Sequence, residues 1–112
     1  MLNRSALILR YKQPFVDWIN EVEPSPSHIV TLADLEEERT VYLLEVEDQQ
    51  ELQGWLELNH RLLFEEELFG WYTDPALWPP ERSLKMLGEL CSFEFHSMVI
   101  DTGSSRLEED DP

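Results

Sequence analysis

The chain predicts an α+β domain: a small three-stranded sheet with helices packed on one face, in the order β-α-α-β-α-α-β. Three observations carry this. Ser5–Tyr11, Thr40–Val46 and Ser92–Asp101 each show the short, apolar or alternating pattern of a strand. The stretches between them repeat apolar residues at helical spacing, which favours crossover connections over hairpins. A length of 112 residues with 42% hydrophobic content supplies one core and not two.

Ser5–Tyr11 is a short apolar run flanked by charge, as in a mostly buried strand. Pro14 follows, where the first turn of a helix tolerates a missing N–H. Phe15, Trp18, Ile19 and Val22 at i, i+3, i+4 and i+7 then place one apolar stripe on that helix. Pro24-Ser25-Pro26-Ser27 ends it. Thr31 with Asp34 is cap chemistry for a short second helix, which Glu36, Glu37 and Glu38 continue in solvent. Thr40–Val46, β-branched and aromatic, is the clearest strand. Residues 49–69 make the longest helix. Its Leu52, Trp55, Leu56, Leu58, Leu62, Leu63 and Phe69 cover a face too wide for one partner, so it is expected to pack on the sheet and on something else.

Gly70 is that helix's expected left-handed stop. Asp74 caps a single turn through Trp78, Pro79-Pro80 breaks the chain, and a further helix runs from about residue 81 to residue 90. In the last strand Phe93, Phe95 and Val99 lie opposite Glu94, His96, Met98 and Ile100. Residues 1–101 thus form the domain, and 102–112, rich in Gly, Ser and acid, are expected to be a disordered tail. The sheet face without helices must be solvated or covered by a second copy. With four Trp, three Tyr and five Phe in the chain, a homodimer is the expectation.

Twenty-four acidic residues against eight basic ones leave a net charge of −16. Such a chain lacks the Lys and Arg that hold nucleic-acid phosphates, and anionic lipid repels it, so neither nucleic acid nor membrane is expected as a direct partner. No window reaches the roughly 18 apolar residues of a membrane span. The apolar run Ala6–Leu9 is too short for a signal peptide. Cys91 is the single cysteine, which excludes an internal disulfide and a Cys-rich metal site. A cytoplasmic protein is expected.

The charge is uneven: residues 1–16 are +3 through Arg4, Arg10 and Lys12, whereas residues 34–67 carry a net −10. This acid either forms a solvated surface that maintains solubility or recognises a basic partner. In its strongest form the second reading mimics the phosphate rows of DNA, which requires tertiary structure to align the acidic clusters.

Glu57 and His60 stand at i and i+3 on the long helix and project from one face, as two ligands of a metal would. Glu94 and His96 share one face of a strand. Together the four compose a carboxylate–imidazole set for zinc, manganese or iron, set against the plainer reading of surface acids beside a partly buried histidine. His28 has no acid within four positions and is incidental. No nucleophile motif or Gly-rich phosphate loop occurs. Cys91 and His96, five apart on a strand, would face opposite ways, so they do not make a thiol pair. The most distinctive stretch is Glu65-Glu66-Glu67-Leu68-Phe69-Gly70-Trp71-Tyr72 followed by Trp78-Pro79-Pro80. Its large aromatics either pack the ends of two helices or anchor an interface.

Asn3-Arg4-Ser5-Ala6-Leu7, Lys12-Gln13-Pro14-Phe15-Val16-Asp17-Trp18-Ile19-Asn20, Thr40-Val41-Tyr42-Leu43-Leu44, Phe64-Glu65-Glu66-Glu67-Leu68 and Phe95-His96-Ser97 together resemble a family of small acidic bacterial proteins with no assigned activity. The resemblance implies a bacterial cytoplasmic origin and carries over no catalytic residue.

The sequence therefore points to a non-catalytic protein–protein interaction module for a basic partner. Its expected surface joins Glu36, Glu37, Glu38, Glu65, Glu66 and Glu67 with Trp71, Tyr72 and Trp78. The alternatives are a small metal-dependent enzyme built on Glu57, His60, Glu94 and His96, and a structural subunit of a homodimer. No cofactor is expected. Crowded acids repel one another, and salt screens that repulsion. Thermal melting at neutral pH is accordingly expected to rise from low to moderate NaCl; a flat or falling response would show the acids to be paired instead.

Overall fold

The computed structural model describes residues 2–23, 29–36 and 39–108. The Pro24–Ser27 loop, His28, Glu37, Glu38 and the last four residues of the expected tail lie outside the described residues. The domain is α+β. Strands β1 (Ser5–Tyr11), β2 (Val41–Leu44) and β3 (Cys91–His96) form one antiparallel sheet in the order β2-β1-β3. The helices are α1 (Gln13–Val22), α2 (Leu32–Leu35), α3 (Gln49–Phe69) and α4 (Leu84–Leu90), with a 3-10 turn at Pro75–Leu77.

Only one of the two connections is a crossover. β1 and β2 are adjacent and antiparallel although two helices separate them in sequence. The chain from β2 to β3 passes across β1, so the two outer strands run in the same direction. No helix among the described residues is long and apolar enough to cross a membrane.

Three of the four helices start where the sequence supplies a side-chain acceptor for free N–H groups. Thr31 and Asp34 form a reciprocal capping box at α2: the Asp34 N–H donates to Thr31 Oγ1 at 3.3 Å, and the Thr31 N–H to Asp34 Oδ2 at 3.0 Å. Asp48 accepts the Glu51 N–H at the head of α3, and the Glu51 carboxylate in turn accepts the Glu47 N–H. Ser83 accepts the Met86 N–H at α4. This serine, held to Glu81 by its own hydroxyl, starts α4 at Leu84, three residues later than the sequence suggests. α1 has Pro14 in its first turn but no side-chain cap.

The pleat of the sheet separates core from surface. Leu7, Leu9 and Tyr11 of β1, Tyr42 and Leu44 of β2, and Cys91, Phe93 and Phe95 of β3 face the helices. Phe15 and Ile19 of α1, Leu52, Leu56, Leu63, Phe64 and Leu68 of α3, and Leu87 and Leu90 of α4 close over them. The other face carries Ala6, Ile8, Arg10, Val41, Leu43, Ser92, Glu94 and His96. Arg10 forms ion pairs there with Glu36 at 3.8 Å and Glu94 at 3.5 Å.

β2, at Val41–Leu44, is shorter than the expected Thr40–Val46, and two further features differ from the sequence pattern. β3 ends at His96, not Asp101, because β1 runs out: His96 pairs with Ala6, the second residue of that strand, and past it Val99 accepts a single backbone bond from Leu2. Gly70 does end α3 but with a right-handed φ of −63°, so the left-handed stop is absent. The helix closes instead because the Trp71 and Tyr72 N–H groups both donate to the Leu68 carbonyl.

Burial decides what each apolar residue of α3 contributes. Phe64→Ala is expected to destabilise the protein by about 3–5 kcal/mol, because Phe64 is fully enclosed. Leu58→Ala, at a side chain that is 86% exposed, should stay within about 0.5 kcal/mol. Urea unfolding of both variants checks the contrast.

Candidate functional site

α3 places Leu63, Phe64, Glu67 and Leu68 on the stripe that faces the sheet, and Glu67 is only 7% exposed. A carboxyl group buried at that depth needs partners. Two tyrosines supply them. Tyr11 Oη donates to Glu67 Oε1 at 2.7 Å, and Tyr42 Oη donates to Glu67 Oε2. The Trp71 indole N–H donates to Tyr11 Oη at 3.2 Å. Burial first, then the charge of and hydrogen bond to Glu67, push the Tyr11 hydroxyl far above the ordinary tyrosine range; the Trp71 bond opposes this and is outweighed. Tyr42 moves the same way through burial and then its bond to Glu67. Both hydroxyls therefore stay protonated as donors, and both Glu67 oxygens are occupied. Beside this network lies a cleft of about 440 Å³ edged by Arg39, Thr40, Glu66 and Gly70.

The large aromatics near this network are used inside the fold. Tyr11 stacks on Phe15 with centroids 4.0 Å apart, Phe15 meets Trp18 edge-on, and Trp18 meets Tyr72 edge-on. The Tyr72 hydroxyl donates to the Ile19 carbonyl, and the Trp78 indole N–H to the Tyr72 carbonyl. Arg82 lies over the Trp78 ring at 5.9 Å. Trp71, Tyr72 and Trp78 thus fasten the segment after α3 to β1 and α1 and remain half-buried.

The expected acidic surface divides accordingly. Glu67 is interior. Glu65 Oε1 accepts from Arg61 at 3.0 Å and lies 3.6 Å from Arg82 Nε. Glu36 pairs with Arg10, and Glu37 and Glu38 lie outside the described residues. Glu66 is exposed with no ion-pair partner among the described residues. The Glu65–Glu67 run is therefore not a row of three free charges, as mimicry of a phosphate row would need.

The metal set does not assemble. α3 packs on the core face of the sheet, whereas Glu94 and His96 project from the open face. No group of three or more ligating side chains occurs among the described residues. His60 Nδ1 lies 3.1 Å from the Leu56 carbonyl, an acceptor, so that nitrogen carries the proton and back-bonds to its own helix. Glu57 accepts from Gln53. Glu94 and His96 do meet, with His96 Nε2 at 2.9 Å from Glu94 Oε2. The His96 bond holds the Glu94 carboxyl below its ordinary range. Cys91 is fully buried, and burial pushes its thiol up to about 12, so it is no nucleophile at neutral pH.

What α3 leaves uncovered is apolar. Leu58 is 86% exposed and Leu62 65%, with Phe69 also exposed two turns beyond Leu62. Next to Leu62, between α3 and β2, runs a groove of about 300 Å³ lined by Leu43, Leu44, Trp55, Leu62, Leu63 and Glu66. Glu57 and Glu66 lie along this strip together with the Arg61–Glu65 ion pair. Sequence reading found the strip, as the surplus width of the α3 face, and missed the Glu67 network. The signal was present: Glu67 stands i+4 from Leu63 and i+3 from Phe64, inside the buried stripe.

Tyr42→Phe should cost about 1–3 kcal/mol, because it strips a buried carboxyl of a donor. The pH response has a definite sign. A tyrosine whose folded pKa lies above its ordinary 10.0 stabilises fully below that pH and progressively less above it. Unfolding by urea is expected to become easier as pH rises beyond 10.0, with a shallower fall in a Tyr11→Phe/Tyr42→Phe protein. Equal slopes would place the alkaline sensitivity elsewhere.

No protein-family model, no curated protein and no solved structure matches this chain.

Proposed function

We propose that this chain is a protein–protein interaction module that takes a basic, partly apolar segment of its partner along the outer flank of α3. The observation that carries the reading is the exposed strip of Leu58, Leu62 and Phe69 with acids beside it, in a chain of net charge −16. Exposed apolar side chains interspersed with charge suit a docking surface, since burial supplies affinity and the charges select and steer the partner. The surface differs from the one the sequence suggests. Trp71, Tyr72, Trp78 and Glu67 are committed internally, so Glu57, Glu66, Leu58 and Leu62 take their place.

The test uses two surface variants that leave the Glu67 network intact, Glu57→Lys/Glu66→Lys and Leu58→Ser/Leu62→Ser, each first shown to melt like the parent. A basic protein retained from lysate by the parent at low salt, released as NaCl rises, and bound at least about tenfold more weakly by each variant is the expected result. Equal retention by all three proteins would remove the α3 flank from consideration.

A further inference from the structure

We infer that the partner segment binds as a fourth strand, adding to the free edge of β2; this rests on the reading of the α3 flank as a docking surface for a basic segment. β2 pairs with β1 on one side and is the edge of the sheet on the other. No backbone bond to its outer side occurs among the described residues. Exposed edges are usually blunted by a charge or a proline. β2 is Val-Tyr-Leu-Leu and has neither. The opposite edge strand, β3, contains Glu94 and His96 and is defended in that way.

Geometry then says what the added strand must look like. It would lie about 4.8 Å beyond β2, with alternate side chains on the two faces of the sheet. Those on the helix side enter the groove beside Tyr42, Trp55 and Leu62, which selects apolar residues. Those between them continue the open face beyond Val41 and Leu43. Glu66 edges the groove and has no ion-pair partner among the described residues, and Glu45, paired with Arg4 at 3.2 Å, follows β2 directly, so carboxylates lie along the strand's path. The occupant is an extended peptide in which apolar residues alternate with Lys or Arg. Main-chain bonds to β2 hold it, and the groove and the two acids choose its sequence.

The probe is the amidated peptide Lys-Val-Lys-Val-Lys-Val-Lys, titrated into the 15N-labelled protein. Two controls accompany it: the block-order peptide Lys-Lys-Lys-Lys-Val-Val-Val, and an analogue of the probe N-methylated at every internal residue. Strand addition predicts shifted amides within Val41–Leu44 and new exchange protection of those that point away from β1. It also predicts binding at least about tenfold tighter than either control, the loss expected for a few unmade backbone bonds. If all three peptides bind alike, strand addition is wrong while recognition of a basic segment stands. Binding of none overturns both. Protection, in the protein alone, of those amides within Val41–Leu44 that point away from β1, with sedimentation as a dimer, would make a second copy of this chain the occupant and also overturn the proposal.

Discussion

The fold turns on one requirement: the carboxyl of Glu67, carried into the interior by the apolar stripe of α3, has to be satisfied there. The two hydroxyls that do this come from different strands, the end of β1 and the middle of β2. Rotating α3 by one residue, about 100°, would carry the carboxyl away from both hydroxyls and leave the buried carboxyl and two part-buried hydroxyls without these bonds. The network thus fixes the rotation of α3 and its position along the sheet, which apolar contacts alone specify loosely. Trp71 extends this constraint to the segment after the helix, and the Tyr11–Phe15–Trp18–Tyr72 ladder extends it to α1.

That rigidity explains why the outer side of α3 stays both apolar and exposed. With its rotation fixed, the helix cannot turn Leu58 and Leu62 inward to relieve their exposure. The same stripe that satisfies Glu67 commits the opposite flank to water. In the proposed reading, the acids along that flank would set the sign of charge of the segment that settles on it.

Much of the architecture was legible from local chemistry. The caps at Thr31, Asp48 and Asp74 behave as their residue types require, α3 spans the residues its periodicity marks, and the three strands lie where β-branched and alternating runs put them. What escaped depends on distance along the chain. Glu65, Glu66 and Glu67 look identical in a row, yet a 100° turn per residue gives one to two arginines, one to water and one to the core. The truncation of β3 follows from where β1 begins, a fact about another segment. The separation of Glu57 and His60 from Glu94 and His96 follows from which sheet face α3 covers. Local signals specify elements, and only the packing of elements decides which side chains meet.

The strand order has a consequence for how the chain is made. β1 is synthesised first and lies in the centre, and its pairing with β3 joins residues as distant as Ala6 and His96. Through most of synthesis the apolar β1 has only β2 to pair with. A nascent chain therefore carries an open strand edge until nearly the whole domain has left the ribosome. Closing that long loop is entropically slow, so the rate of folding should be governed by the arrival of β3 more than by the early helices.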